Sequence, residues 1–170
     1  MTAAMPATRT HPGELVADVV LRDGSTMRLR PPRKDDSDAL VEFFRGLSDR
    51  SLYLRFHGHP HVTERLVEPV LEPDWFERGA LVGAHEGQIV ALAGYVRLRD
   101  PRSAEVAFAV ADTFQGRGIG SRLLEQLATA AEGSGIEEFL AEVMPENSAM
   151  LRVFSDAGFG TSRRLESGVV

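Results

Sequence analysis

The clearest feature of the chain is a change of period between residues 104 and 131. Glu105 to Ala111 (EVAFAVA) holds no turn former and is rich in Val, Phe and Ala, which predicts a buried strand. From Gly118 onward, Ile119, Leu123, Leu124, Leu127, Ala128 and Ala131 recur at helical spacing, so an amphipathic helix follows and ends around Gly133-Ser134-Gly135. Ahead of this unit, Ala17 to Arg30 alternates as two strands turned at Asp23-Gly24, and Pro31-Pro32 stops the second. Leu40, Val41, Phe43, Phe44 and Leu47 form the apolar face of a helix that starts near Lys34-Asp35-Asp36-Ser37, where Asp35 and Asp36 read as capping groups. Ser48 caps a short helix to Phe56, and Thr63 caps another over Glu64 to Leu71, bent or ended near Pro69. Leu81–His85 and Ile89–Arg99 pair around Glu86-Gly87, and with the 104–111 strand they give an antiparallel run at the centre of a sheet. Phe139 to Val143 is the next strand, Asn147 to Ala157 the last helix, closed by Gly158, and Phe159 to Arg164 opens a further strand. Trp75, the one tryptophan, reads as a core plug.

Composition narrows the class. A chain of 170 residues with 43% hydrophobic and 26% charged side chains predicts one soluble domain with a proper core. The formal net charge of −6 argues against nonspecific nucleic-acid binding. With no cysteine, disulfides and thiol catalysis are excluded, and a cytoplasmic setting is expected. No apolar run approaches membrane-spanning length, so no membrane partner is expected. Residues 1–16 read as a disordered lead-in. His57, His59 and His61 alternate, but Gly58 and Pro60 make the segment a loop, and no metal is expected there.

The link Gln115 to Gly120 carries the candidate chemistry. A glycine-rich turn from strand to helix presents free backbone N–H groups and the positive end of the helix dipole at one place, which suits a phosphate or pyrophosphate. Side chains at Gly116, Gly118 or Gly120 would hold the main chain away from a bulky anion, and Arg117 would add a fixed charge. An ordinary turn accounts for the spacing equally well. The segment is neither a P-loop nor a dinucleotide fingerprint.

Gln115-Gly116-Arg117-Gly118-Ile119-Gly120 after a strand resembles the acetyl-CoA pyrophosphate loop of the GNAT family of N-acetyltransferases, and Asn147 to Phe159 resembles that family's Asn helix ending in Gly-Phe. The resemblance implies a mixed α/β (α+β) fold: a mostly antiparallel sheet of 6–7 strands with about four helices, and a splayed strand pair holding acetyl-CoA. It implies a single such domain over 17–170, cut from a longer chain. It further implies that the free backbone of Phe108, Ala109 and Val110 pairs with the pantetheine arm. Gln115, Gly116, Arg117, Gly118, Ile119, Gly120 and Ser121 would hold the diphosphate, and Asn147 would bind the same arm or simply cap its helix.

Transfer of an acetyl group to an amine requires that the acceptor lose a proton, and a lysine amine (pKa about 10.4) arrives charged. Glu105 is the candidate base: strand alternation sets it on one face with Ala107 and Ala109, leaving space beside it, and relatives that acetylate protein lysines carry a Glu here. The competing reading pairs Glu105 with Arg97 or Arg99 across the hairpin. Many relatives have a Tyr seven residues after the Asn that protonates the leaving thiolate; here the residue is Phe154, so the general acid stays open. Tyr53, Arg55 and Phe56 either line the acceptor side of the cleft or pack and pair structurally.

Residues 19–56 (VVLRDGSTMRLRPPRKDDSDALVEFFRGLSDRSLYLRF) extend the resemblance to the GNAT module of bacterial Pat-type protein lysine acetyltransferases, commonly joined to an NDP-forming acyl-CoA synthetase-like domain. That implies an acceptor lysine on a protein, typically an AMP-forming acyl-CoA synthetase inactivated by acetylation. An acetyltransferase for a small amine and a non-catalytic acyl-CoA-sensing module remain alternatives.

Overall fold

The computed structural model describes residues 15–157. Six strands form one sheet in chain order: β1 (Ala17–Val20), β2 (Thr26–Arg30), β3 (Arg78–His85), β4 (Gln88–Arg97), β5 (Ser103–Val110) and β6 (Glu138–Leu140). Every neighbouring pair is antiparallel except β5 and β6, which run parallel. Five helices accompany the described strands: α1 (Ser37–Arg45), α2 (Asp49–Phe56), α3 (Glu64–Val67), α4 (Ile119–Gly133) and α5 (Ser148–Asp156). α3, the helix expected from Glu64 and ended near Pro69, is a single turn that a 3-10 segment with Pro69 finishes. The mixed, mostly antiparallel architecture is the expected one. The expected stop at Gly158 and the strand from Phe159 to Arg164 lie outside the described residues, as does most of the N-terminal lead.

The sheet is covered on both faces. On one, Leu123, Leu124 and Leu127 of α4 pack against Leu81, Val106 and Phe108, all within one buried cluster. Each such leucine contributes about 2 kcal/mol relative to exposure. On the other, Leu40, Phe44 and Val67 of α1 and α3 pack against Val82, Leu92 and Ala109. The alternation expected for β5 therefore holds: Val106 and Phe108 face α4, while Ala109 faces α1.

Two strands depart by three residues from the limits expected. β3 begins at Arg78, three residues before Leu81, because Gly79 sits opposite Tyr95 in the ladder. A side chain on Gly79 would put its Cβ 2.2 Å from the Tyr95 ring, so the glycine marks close packing and not a turn. The Tyr95 hydroxyl donates to the Trp75 carbonyl (3.1 Å), and Trp75, 4% exposed, is the core plug expected of it. β6 ends at Leu140, not Val143. Its pairing with β5 consists of Ser103–Glu138, Ala104–Phe139 and Glu105–Leu140, after which the two strands part.

Candidate functional site

The parting of β5 and β6 opens a cavity of about 320 Å³. One wall is β5 from Val106 to Val110, and the facing wall is Ala141 to Val143. Gly116, Gly118, Gly120 and Ser121 close one end, and Asn147, Met150 and Phe154 of α5 close a side. Most of the candidate residues are thus brought together: Phe108, Ala109, Val110, Gln115, Gly116, Gly118, Ile119, Gly120, Ser121 and Asn147 all line the cavity, as does Arg55. Arg117, Tyr53, Phe56 and Glu105 do not line it.

The glycine loop is built from two kinds of glycine. Gly116 (φ +78°) and Gly118 (φ +85°) lie in the left-handed region, and Gly118 is the N-cap of α4. Gly120 is different: a Cβ there would stand 3.0 Å from Cγ2 of Val153, so it lets α4 and α5 approach. The first residues of α4 therefore present unpaired N–H groups toward the cavity end, which fits an anionic group such as a diphosphate.

Arg117 is committed elsewhere. It donates to Asp23 Oδ2 (2.8 Å) and to the Thr113 carbonyl (3.0 Å), and its guanidinium lies 4.6 Å from the Phe114 ring centre. The cation beside the loop is Arg22, whose side chain lies along Gly118 and lines the cavity. It sits next to a hairpin turn, and nothing in the local sequence marked it.

A polar knot unnoticed in the sequence ties the cavity's end to α2. Asp112 accepts from the Ser48 N–H (2.8 Å), the Ser48 hydroxyl (3.3 Å) and, by a short contact, the Ser51 hydroxyl. Gln115 donates to Asp112 Oδ1 (3.2 Å), Ser51 Oγ (3.2 Å) and the Val110 carbonyl (3.1 Å). Partial burial works to raise the Asp112 carboxyl, but the hydrogen bonds from Ser51 and Ser48 outweigh it and hold the group below the usual carboxylate range. Ser48 also caps α2 as expected, accepting from Ser51 N–H at 3.1 Å.

Glu105 stands at the point of divergence, paired across the sheet with Val96 on one side and Leu140 on the other. Among the described residues it forms no hydrogen bond and no ion pair. The pairing with Arg97 is absent because Arg97 gives its guanidinium to the carbonyls of Phe76 (2.9 Å), Ser134 (2.7 Å) and Pro101. The cation that Glu105 does face is Arg55. Loss of hydration pushes the Arg55 guanidinium down from its ordinary value, and the nearby Glu105 carboxylate works the other way. Arg55 lies 4.7 Å over the Phe56 ring, Phe56 packs on Phe44, and Tyr53 stacks on His59.

Asn147 both lines the cavity and caps α5, its side-chain oxygen accepting from Met150 N–H at 3.3 Å. Phe154 meets Phe108 edge to face with ring centres 5.8 Å apart. Among the described residues no three metal-ligating side chains gather, and no helix is long and apolar enough to cross a membrane.

A sheet that opens beside a strand–glycine loop–helix unit defines the class, and likeness to known proteins agrees with it. The model of the Acetyltransferase (GNAT) family matches residues 47–159, and the chain belongs to that family. It is 34% identical over 143 residues to Acetyltransferase Pat of Mycolicibacterium smegmatis, a match covering 82% of this chain and 43% of that protein. The chain thus spans less than half the length of that relative. Its structure resembles the GNAT domain of S. lividans PAT with a TM-score of 0.86 and 40% identity, over 94% of this chain and 96% of the other. The structure of yncA from Salmonella typhimurium with its cofactor acetyl-CoA shares the fold at a TM-score of 0.69 and 21% identity, over 85% of each chain.

Proposed function

We propose that the chain transfers an acetyl group from acetyl-CoA to the ε-amine of a lysine on a protein. The observation that carries this reading is the divergence of β5 from β6 directly after the Glu105–Leu140 pair. It leaves a carboxylate without a hydrogen bond one residue before β5 becomes a wall of the cavity, which a glycine-rich helix start closes at one end. The likeness to Pat proteins supports a protein lysine as acceptor, and an AMP-forming acyl-CoA synthetase is the acceptor class this reading favours. A C-terminal synthetase-like domain in the longer chain belongs to the same reading.

Acetyl-CoA supplies the thioester, whose acyl carbon takes the amine while the thiolate leaves. The residues of the chain do the rest. N–H groups at the start of α4 hold the diphosphate. Asn147 and the free edge of β5 from Phe108 to Val110 orient the pantetheine arm. Glu105 takes a proton from the incoming ammonium, directly or through one water, so that the neutral amine is held at attack distance. Phe154 has no proton to give, which leaves water to protonate the departing thiolate.

Incubation with radiolabelled acetyl-CoA and a panel of acyl-CoA synthetases, followed by mapping of the labelled lysine, tests the reading. Label on one lysine of a synthetase is the expected result; label appearing only on free amines would overturn it. Glu105→Gln is expected to lower kcat/KM for the protein acceptor by about 100-fold or more while acetyl-CoA binds with unchanged Kd. Undiminished transfer by this variant would remove Glu105 from the role of base.

A further inference from the structure

We infer that Arg22, from the β1–β2 hairpin, is the cation that binds the diphosphate of the coenzyme, and that Arg117 of the glycine loop serves to bring it there. The inference rests on the donor-site reading above and extends it to a residue outside the motif.

The two arginines divide the work. The charge of Arg117 is already matched by Asp23 at 2.8 Å, and its remaining donors and ring contact point at Thr113 and Phe114, so it has little left to offer an anion. Asp23 belongs to the hairpin turn, where it also accepts from Ser25 N–H (3.0 Å) and the Ser25 hydroxyl (2.6 Å). The Asp23–Arg117 pair thereby fastens the turn to the loop, and the Arg22 N–H approaches the Arg117 carbonyl at 3.5 Å from the same side.

Arg22 is placed by this fastening and has no partner of its own. Its guanidinium makes no hydrogen bond or ion pair among the described residues. Its Nε is 3.5 Å from the position a Cβ on Gly118 would take, at the N-cap of α4, and it lines the same cavity end as Gly116 and Gly120. A guanidinium and the N–H groups of a helix start converging on one point form a site for a phosphate oxygen pair, which the planar fork of an arginine matches. Gly118 is required for its positive φ, and a Cβ there would meet Arg22 Nε at 3.5 Å, an ordinary contact.

The test is titration calorimetry of the 170-residue chain with coenzyme A, dephospho-coenzyme A and pantetheine, comparing wild type with Arg22→Ala and Arg22→Lys. Arg22→Ala is expected to weaken coenzyme A about tenfold. The loss should be equal for dephospho-coenzyme A, which keeps the diphosphate, and absent for pantetheine, which lacks it. Arg22→Lys should recover part of the affinity, since it restores charge without the fork. The variants' melting temperatures without ligand should match wild type, because Arg22 holds nothing in the free protein. Unchanged coenzyme A affinity in Arg22→Ala would overturn the assignment, as would a loss that vanishes with dephospho-coenzyme A, which would move Arg22 to the 3′-phosphate. Failure of the wild-type chain to bind coenzyme A at all would instead count against the donor-site reading.

Discussion

Single side chains in the glycine loop carry different duties, and substitutions should separate them. Gly118→Val places a β-branched residue at φ +85° and aims its Cβ at Arg22. The backbone strain alone is worth about 1–2 kcal/mol, so coenzyme A binding should weaken at least tenfold by calorimetry, with a modest fall in Tm. Gly120→Ala should act otherwise: its methyl would press on Val153, costing packing between α4 and α5 more than it costs the anion site. That this loop needs glycines was legible in the sequence, because Gly-x-Gly-x-Gly between a strand and a helix marks main chain that must bend tightly or pass close to a neighbour. Which glycine serves conformation and which serves packing was not legible, since the distinction lies in Val153, more than thirty residues away. The same holds for Arg117. Its neighbours in sequence make it look like an anion ligand, and its neighbour in space, Asp23, makes it a fastener.

Elements with a strong period were legible and elements defined by their partners were not. α4 and the β3–β4 hairpin follow from local pattern: α4 buries one face at helical spacing, and β3 and β4 are apolar runs buried on both faces around the Glu86-Gly87 turn. β6 does not, because its length is set by where β5 stops accompanying it, and Ala141, Glu142 and Val143 keep a strand-like alternation without belonging to one. α2 is the least self-sufficient: none of its residues is fully buried, and its start is held from outside by Asp112. Asp112→Ala should therefore loosen α2. Urea unfolding should show a loss of about 1 kcal/mol, at the low end for charged hydrogen bonds because the carboxylate is open to solvent. Amide exchange across α2 should rise while α4 stays protected. Uniform protection would mean that α2 is held by packing alone.

The molecule as a whole is acidic, yet four arginines (Arg22, Arg50, Arg55 and Arg152) share the cavity lining with only three carboxylates, one of which, Asp112, is already bonded. Local charge at the cavity therefore opposes the global balance, which composition alone could not reveal. Stability toward acid is governed elsewhere. Asp36, 8% exposed, accepts from Arg30 through both oxygens (2.6 and 2.8 Å) and from Arg33 N–H at 2.7 Å. The Arg30 hydrogen bonds hold its carboxyl below the usual range against the opposing effect of burial. A depressed folded pKa stabilises above the unfolded value of about 3.9, and the contribution drains away as pH falls through the folded value. Asp36→Asn should thus lose about 2–3 kcal/mol at neutral pH and show a flatter decline below pH 4. A parallel decline in both proteins would place the acid-sensitive group elsewhere.

The Asp112 knot bears on how this scaffold could be re-engineered. Exchanging the segment from Leu47 to Val62 for that of a relative, to obtain a new acceptor, would also exchange Ser48 and Ser51. A donor sequence without hydroxyls at those two places would deliver its new recognition surface and, in the same stroke, unseat Gln115 on the coenzyme side. Chimeras of this fold should therefore be designed with both serines carried across the junction.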